Sequence, residues 1–181
     1  KITVIPIPSL IARADTTMCS GNAVNISATS NISPITWNPG NIIGSVVSVS
    51  PTTTTNYIAS VNNVCGTKLD TVNIIVIPTP TLIARNDTTI CNGQSVNLFA
   101  TSNLSSINWM PGNINSNSFV ASPTSTTSYI AMVNNACGTK RDTVQISVIA
   151  LPTITARNDT SICNGNNIQL FATSNISSIT W

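Results

Sequence analysis

The chain is 181 residues long, carries a net charge of +2, and only 7% of its residues are charged, against about a quarter in an average soluble protein. That balance excludes the basic face or stripe that nucleic-acid binding requires. It contains no His, and its five acidic residues (Asp15, Asp70, Asp87, Asp142 and Asp159) are all aspartates, which leaves little for acid–base chemistry. No catalytic, cofactor or metal site is therefore expected.

An apolar content of 41%, arranged in strict alternation, argues for folded β-structure over disorder. No apolar run is long enough to span a bilayer as a helix. The sequence also repeats. Cys19, Cys91 and Cys163 stand 72 residues apart, and Trp37, Trp109 and Trp181 keep the same step, as do Tyr57 and Tyr129. A fixed period means one folding unit used in tandem.

In chain order, residues 1–10 align with 73–82 and are expected to be the last strand of a preceding repeat. Two whole repeats follow, 11–82 and 83–154, and 155–181 are the opening strands of a further, incomplete one. On this frame the chain begins and ends inside repeats and is read as part of a longer polypeptide.

Each repeat opens with a strand, Leu82–Thr89 in the second, followed by an Asn92-Gly93 turn that reads as a hairpin. The next strand turns Val24, Ile26 and Ala28 inward (Val96, Leu98, Ala100; Ile168, Leu170, Ala172). Phe99 and Phe171 lie opposite that inward set. Ile35 and Trp37, and later Ile107 and Trp109, form the next inward pair, and Pro39-Gly40 and Pro111-Gly112 break the strand.

A short strand with Val47 and Val49 (Phe119, Ala121) ends at Pro51 (Pro123). A Thr/Ser run then leads into a longer strand carrying Tyr57, Ala59 and Val61 (Tyr129, Ala131, Val133). Val72, Ile74 and Val76 (Val144, Ile146, Val148) make the last strand. Pro78, Pro80 and Pro152 mark linkers of a few residues. Six to seven short strands in such a unit, with an inward Trp on the third and a Tyr opening the sixth, predict an all-β chain of tandem immunoglobulin-like sandwiches. Trp37, Trp109, Tyr57 and Tyr129 are assigned to the cores.

The cysteines fall just before the second strand and just after the sixth. They are too isolated for a metal site, so disulfides and an oxidising exterior are expected. Pairing within a repeat, Cys19 with Cys65 and Cys91 with Cys137, is one possibility. It is awkward, because the two positions lie at opposite ends of such a sandwich, about 40 Å apart at 3.3 Å per residue, and a disulfide needs Cα atoms within about 7 Å. Tandem stacking favours Cys19 with Cys137 across the joint, with Cys65, Cys91 and Cys163 finding partners outside this sequence. The within-repeat pairings stand as the alternative.

The strings Ile90-Cys91-Asn92-Gly93-Gln94-Ser95-Val96, Trp109-Met110-Pro111-Gly112, Ser122-Pro123-Thr124-Ser125-Thr126-Thr127-Ser128-Tyr129, Cys137 and Asp142-Thr143-Val144 together resemble the Ig-like and PKD-like repeats of large surface and secreted proteins of the Bacteroidota. The resemblance implies tandem arrays on the cell exterior, often exported by the type IX system and often adhesive or gliding-related. The Asp-Thr steps resemble the O-glycosylation sites of that group, which would place sugars on Thr16, Thr71, Thr88 and Thr143. Otherwise Asp and Thr are strand-edge and turn residues copied with the unit.

The functional expectation is a structural segment of a long extracellular or cell-surface filament, self-associating into a fibre or array. The alternatives are an adhesin repeat that binds glycans or surfaces, and an inert stalk of a secreted enzyme. Arg13, Arg85 and Arg157 recur with the period, either as a ladder for anionic sugars or as loose partners of the neighbouring aspartates.

Overall fold

The structure is a computed structural model that describes residues 1–180. Trp181, the third tryptophan of the series, lies outside the described residues. Among the described residues all regular elements are strands, and none of the structure is a helix long and apolar enough to cross a membrane.

The first repeat contributes β1 (Leu10–Ala12), β2 (Thr16–Cys19), β3 (Val24–Ser30), β4 (Thr36–Asn38), β5 (Ile42–Ile43), β6 (Val46–Val49), β7 (Thr55–Asn63) and β8 (Gly66–Ile77). The second contributes β9 (Leu82–Ala84), β10 (Thr88–Cys91), β11 (Val96–Ser102), β12 (Asn108–Met110), β13 (Ile114–Asn115), β14 (Ser118–Ala121), β15 (Thr127–Asn135) and β16 (Gly138–Ile149). After these come β17 (Ile154–Ala156) and β18 (Ala172–Ser174), which pair antiparallel. Residues 1–9, expected to form a strand, do not; Leu10 already belongs to β1. Likewise Leu82 opens β9, one residue ahead of the boundary read from the period.

Each repeat folds into a sandwich of a five-stranded and a three-stranded sheet. In the first, these have strand orders β2-β8-β7-β4-β5 and β1-β3-β6; in the second, β10-β16-β15-β12-β13 and β14-β11-β9. The opening strand of each repeat, expected as one element, is two. β1 pairs antiparallel with β3 on one sheet, and β2 pairs parallel with β8 on the other. The Asn92-Gly93 turn therefore connects strands of different sheets rather than closing a hairpin. Gly93 supplies the positive φ (87°) that such a tight reversal needs.

Period-2 alternation accounts for the cores. Ile26 and Ala28 on β3, Val47 and Val49 on β6, Tyr57, Ala59 and Val61 on β7, and Val72 and Ile74 on β8 are all buried, while the residues between them face outward or are half-buried. Trp37 and Trp109 are both 0% exposed. Each keeps its indole N–H satisfied on the neighbouring strand connection, Trp37 Nε1 donating to Gly44 O (2.9 Å) and Trp109 Nε1 to Ser116 O (3.0 Å). Tyr57 is buried. Tyr129 is only half-buried, its ring meeting Phe119 edge-on at 5.8 Å between centroids, and Phe119 meets Trp109 at 5.5 Å. Val47 occupies the Phe119 position in the first repeat, so its tyrosine lacks that aromatic neighbour.

The chain divides into two compact units. One comprises Lys1–Thr81 together with Ser102–Leu104 and Val133–Lys140; the other comprises Leu82–Thr101, Ser105–Met132 and the chain from Arg141 onward. The linker Ile77–Thr81 and the two turns of the second repeat that hold it are thus parts of the same unit.

Candidate functional site

The chemistry of the chain concentrates where the first repeat ends. β2 runs parallel to β8 with Cys19 opposite Ile77, and Ser20 N donates to Ile77 O (2.9 Å). This parallel register carries Cys19 to the last residue of β8. There it meets Cys137, which lies in the β15–β16 turn. The two sulfurs are bonded at 2.00 Å, with Cα atoms 5.6 Å apart and 118 residues between them in sequence. Cys137 Sγ also lies 3.6 Å from Ile77 O. Cys65, Cys91 and Cys163 are unbonded and exposed. The structure therefore forms neither of the within-repeat pairings, Cys19–Cys65 or Cys91–Cys137.

Two asparagines hold the linker from the other side. Asn135 Nδ2 donates to Pro78 O (2.8 Å), while Asn135 Oδ1 accepts the N–H of Cys137 (2.8 Å). Asn103 Nδ2 donates to Thr79 O (2.9 Å), and its Oδ1 accepts the N–H of Thr81 (2.8 Å). A carboxamide that accepts from one backbone group and donates to another substitutes for a missing strand partner. Pro78 and Pro80 cannot donate, which leaves the linker short of N–H groups, and its carbonyls at Ile77, Pro78 and Thr79 and the N–H of Thr81 each meet a partner.

The pattern recurs at every repeat boundary. Asn63 donates to Pro6 O (2.8 Å) and accepts from Cys65 N (2.8 Å). Asn31 donates to Ile7 O (2.9 Å) and accepts from Ser9 N (2.8 Å). Asn175 donates to Leu151 O (2.9 Å) and accepts from Thr153 N (2.8 Å). These asparagines were not singled out from the sequence as linker contacts. The available signal was the period, since Asn31, Asn103 and Asn175 keep it, as do Asn63 and Asn135.

The aspartates perform a related task inside each sandwich, where the chain crosses from the three-stranded to the five-stranded sheet. Asp70 Oδ2 accepts from Ala12 N and its Oδ1 from Thr71 N, both at 2.8 Å; Asp15 Oδ1 accepts from Asn73 N at 2.8 Å. Asp142 and Asp87 repeat this on Ala84 N (2.9 Å), Thr143 N (2.9 Å) and Gln145 N (2.8 Å). The N–H groups of Ala12 and Thr71, with Lys68 adding a smaller attraction, hold the Asp70 carboxyl below the usual carboxylate range. Of the threonines that follow these residues, Thr71 and Thr143 are exposed and Thr16 and Thr88 half-buried.

The arginines do not partner the neighbouring aspartates. Arg13 Nη1 donates to Asn25 O, Arg85 Nη1 to Asn97 O (2.6 Å) and Arg157 Nη1 to Gln169 O (2.9 Å). Arg85 and Arg157 also lie over the exposed rings of Phe99 and Phe171, at 5.9 and 5.8 Å. Among the described residues no group of three or more His, Cys, Asp or Glu is arranged to hold a metal ion.

No protein-family model matches the sequence, and no curated protein sequence does. Solved structures do match in fold. The I-band fragment I67–I69 of titin superposes with a TM-score of 0.58 at 11% identity, covering 94% of this chain and 88% of that one. Immunoglobulin domains 1–5 of Sidekick-1 give 0.56 at 13% identity, with 82% of this chain covered; the match spans about 40% of the Sidekick-1 chain. The N-terminal four Ig domains of Dscam1 isoform 9.44 give 0.54 at 14% identity, covering 78% of this chain and 45% of that one. At such identities the likeness is one of fold, and on that ground the chain is an all-β tandem of Ig-like sandwiches.

Proposed function

We propose that the chain is a structural segment of a long extracellular or cell-surface filament in which neighbouring Ig-like repeats are tied covalently. The observation that carries this reading is the Cys19–Cys137 bond, made between cysteines of different repeats across a linker whose Pro78 and Thr79 carbonyls are held by asparagine side chains. Short linkers between domains otherwise leave bending as the default, and a covalent tie across each one would restrict that bending. On this reading Cys65, Cys91 and Cys163 belong to the same kind of tie with repeats beyond this sequence. A disulfide persists in an oxidising compartment, which agrees with a location outside the cell. The resemblance to Bacteroidota surface arrays supports a bacterial surface as the setting. O-linked sugars on exposed Thr71 and Thr143 would hydrate a surface poor in charge.

Electron microscopy of the native material tests the proposal. Filaments with an axial period of one repeat support it; dispersed, freely jointed monomers contradict it.

A second reading, an adhesin repeat, is favoured by one observation. Arg85 lies over the exposed Phe99 and borders an open depression of about 390 Å³ lined also by Asp87, Asp142 and Thr143. Binding on a glycan array that is lost in Phe99→Ser would favour it over the purely structural reading.

A further inference from the structure

The disulfide joins two halves that are each formed without it. One half is the end of a repeat, where the strand register sets a cysteine beside the last residue of β8 or β16: Cys19 opposite Ile77, and Cys91 opposite Ile149. Ser20 N and Asn92 N secure the two with bonds of 2.9 and 2.8 Å to the carbonyls of Ile77 and Ile149. Cys91 is unbonded, yet its half is in place. The other half is the turn between the last two strands of a repeat. Asn135 spans from the N–H of Cys137 to Pro78 O, and Asn63 spans from the N–H of Cys65 to Pro6 O, all four bonds at 2.8 Å. The sulfur of Cys137 lies 3.6 Å from Ile77 O, and that of Cys65 lies 3.6 Å from Ile5 O. Cys137 is bonded and Cys65 is not, and the two seats have the same geometry.

We propose that Asn135, assisted by Asn103, is a positioning residue that docks the linker and delivers Cys137 to Cys19, so that oxidation joins adjacent repeats rather than the two cysteines of one repeat. The inference rests on the reading that the Cys19–Cys137 bond is a native joint. Pro78 is the residue after Ile77, the strand partner of Cys19. A side chain that binds both Pro78 O and Cys137 N therefore fixes one cysteine with respect to the other. Asn103 extends the grip to Thr79 and Thr81. Cys91 and Cys137 are kept apart by the same construction, because they flank opposite ends of the 12-residue strand β16, roughly 40 Å long.

Closure needs a disulfide oxidant. One thiolate attacks it to give a mixed disulfide and one thiol, and the second thiolate then attacks the mixed disulfide and expels the other thiol. Two protein thiols become one disulfide, and the oxidant takes up two electrons and two protons.

The test is refolding of the reduced chain in glutathione buffers, with peptide mapping without reduction to read the effective concentration of Cys19 towards Cys137. Asn135→Ala should lower it roughly tenfold, the effect of losing one or two hydrogen bonds. Asn135→Asp, which accepts from Cys137 N but cannot donate to Pro78 O, should fall between. Asn63→Ala, at the other turn, should leave it unchanged. An unaltered value in Asn135→Ala overturns the proposal. A wild-type chain that instead links Cys91 to Cys137 overturns the joint itself. Independently of how Asn135→Ala folds, the Cys19→Ser/Cys137→Ser double variant should keep the amides at positions 81 and 137 protected from hydrogen exchange, and exchange at unprotected rates would also overturn the proposal.

Discussion

The turns at residues 63–66 and 135–138 are built alike and end differently. Both place a cysteine two residues after an asparagine, and both asparagines reach a linker carbonyl at 2.8 Å. Only Cys137 has a sulfur to meet. The comparison separates two contributions that a single bonded joint would merge. Side-chain amides create the geometry of the linker, and the disulfide fastens a geometry that already exists.

The sharpest way to break the symmetry is to remove the covalent bond. A tie across 118 residues stabilises by about 5 kcal/mol in the chain-entropy account. Cys19→Ser/Cys137→Ser should lower the urea midpoint accordingly, whereas Cys65→Ser should leave it within about 0.5 kcal/mol of wild type. A similar loss in both would mean that the unbonded seat is not idle.

Replacing Asn103 by Ala should cost about 0.5–1.5 kcal/mol, since the exposed bonds to Thr79 O and Thr81 N are lost and water takes their place. Asn31→Ala should cost less, because residues 7–9, which it holds, are flanked by exposed chain. Paired denaturation curves would check the order.

A smaller effect is expected with pH. Folding depresses the Asp70 pKa, so its contribution is complete above the unfolded value and is lost as pH falls through the lower folded value. The acid limb of the wild-type stability curve should therefore steepen below about pH 4. Asp70→Asn should flatten that limb and leave the curve near neutral pH displaced but parallel. Least of all, Phe99→Ser, at a position 48% exposed, should change stability by under about 0.5 kcal/mol.

The sandwiches were legible because burial imposes a period of two. Ile26 with Ala28, Tyr57 with Ala59 and Val61, and Val72 with Ile74 alternate along strands with one wet face, and Trp37 and Trp109 are too large to sit elsewhere. The division of the opening strand was less legible. Residues 13–15 and 85–87 leave one sheet for the other, and what holds that crossing is a set of aspartate-to-backbone bonds made 58 residues away, Asp70 to Ala12 and Asp142 to Ala84. Local pattern does not encode such distant acceptors.

The linker clamps were hidden for a related reason. Asn31, Asn63, Asn103 and Asn135 occupy turns where asparagine is ordinary on its own account, and nothing nearby marks their partners. Asn63 and Asn135 reach carbonyls 57 residues back along the chain. Only their period distinguished them, and the period was shared by residues with no contact to the linker at all. The arginines show the opposite failure. Arg85 has Asp87 two residues away, but Asp87 is engaged by Gln145 N and the guanidinium finds a carbonyl and an aromatic face instead.

The central claim is that successive repeats are tied through Cys19 and Cys137 at a linker held by asparagines. Proteolysis of the native, unreduced chain followed by mass mapping of linked peptides tests it most directly. The account predicts a peptide pair joining Cys19 to Cys137, with Cys65 and Cys91 absent from it. A pair joining Cys19 to Cys65, or Cys91 to Cys137, would contradict it.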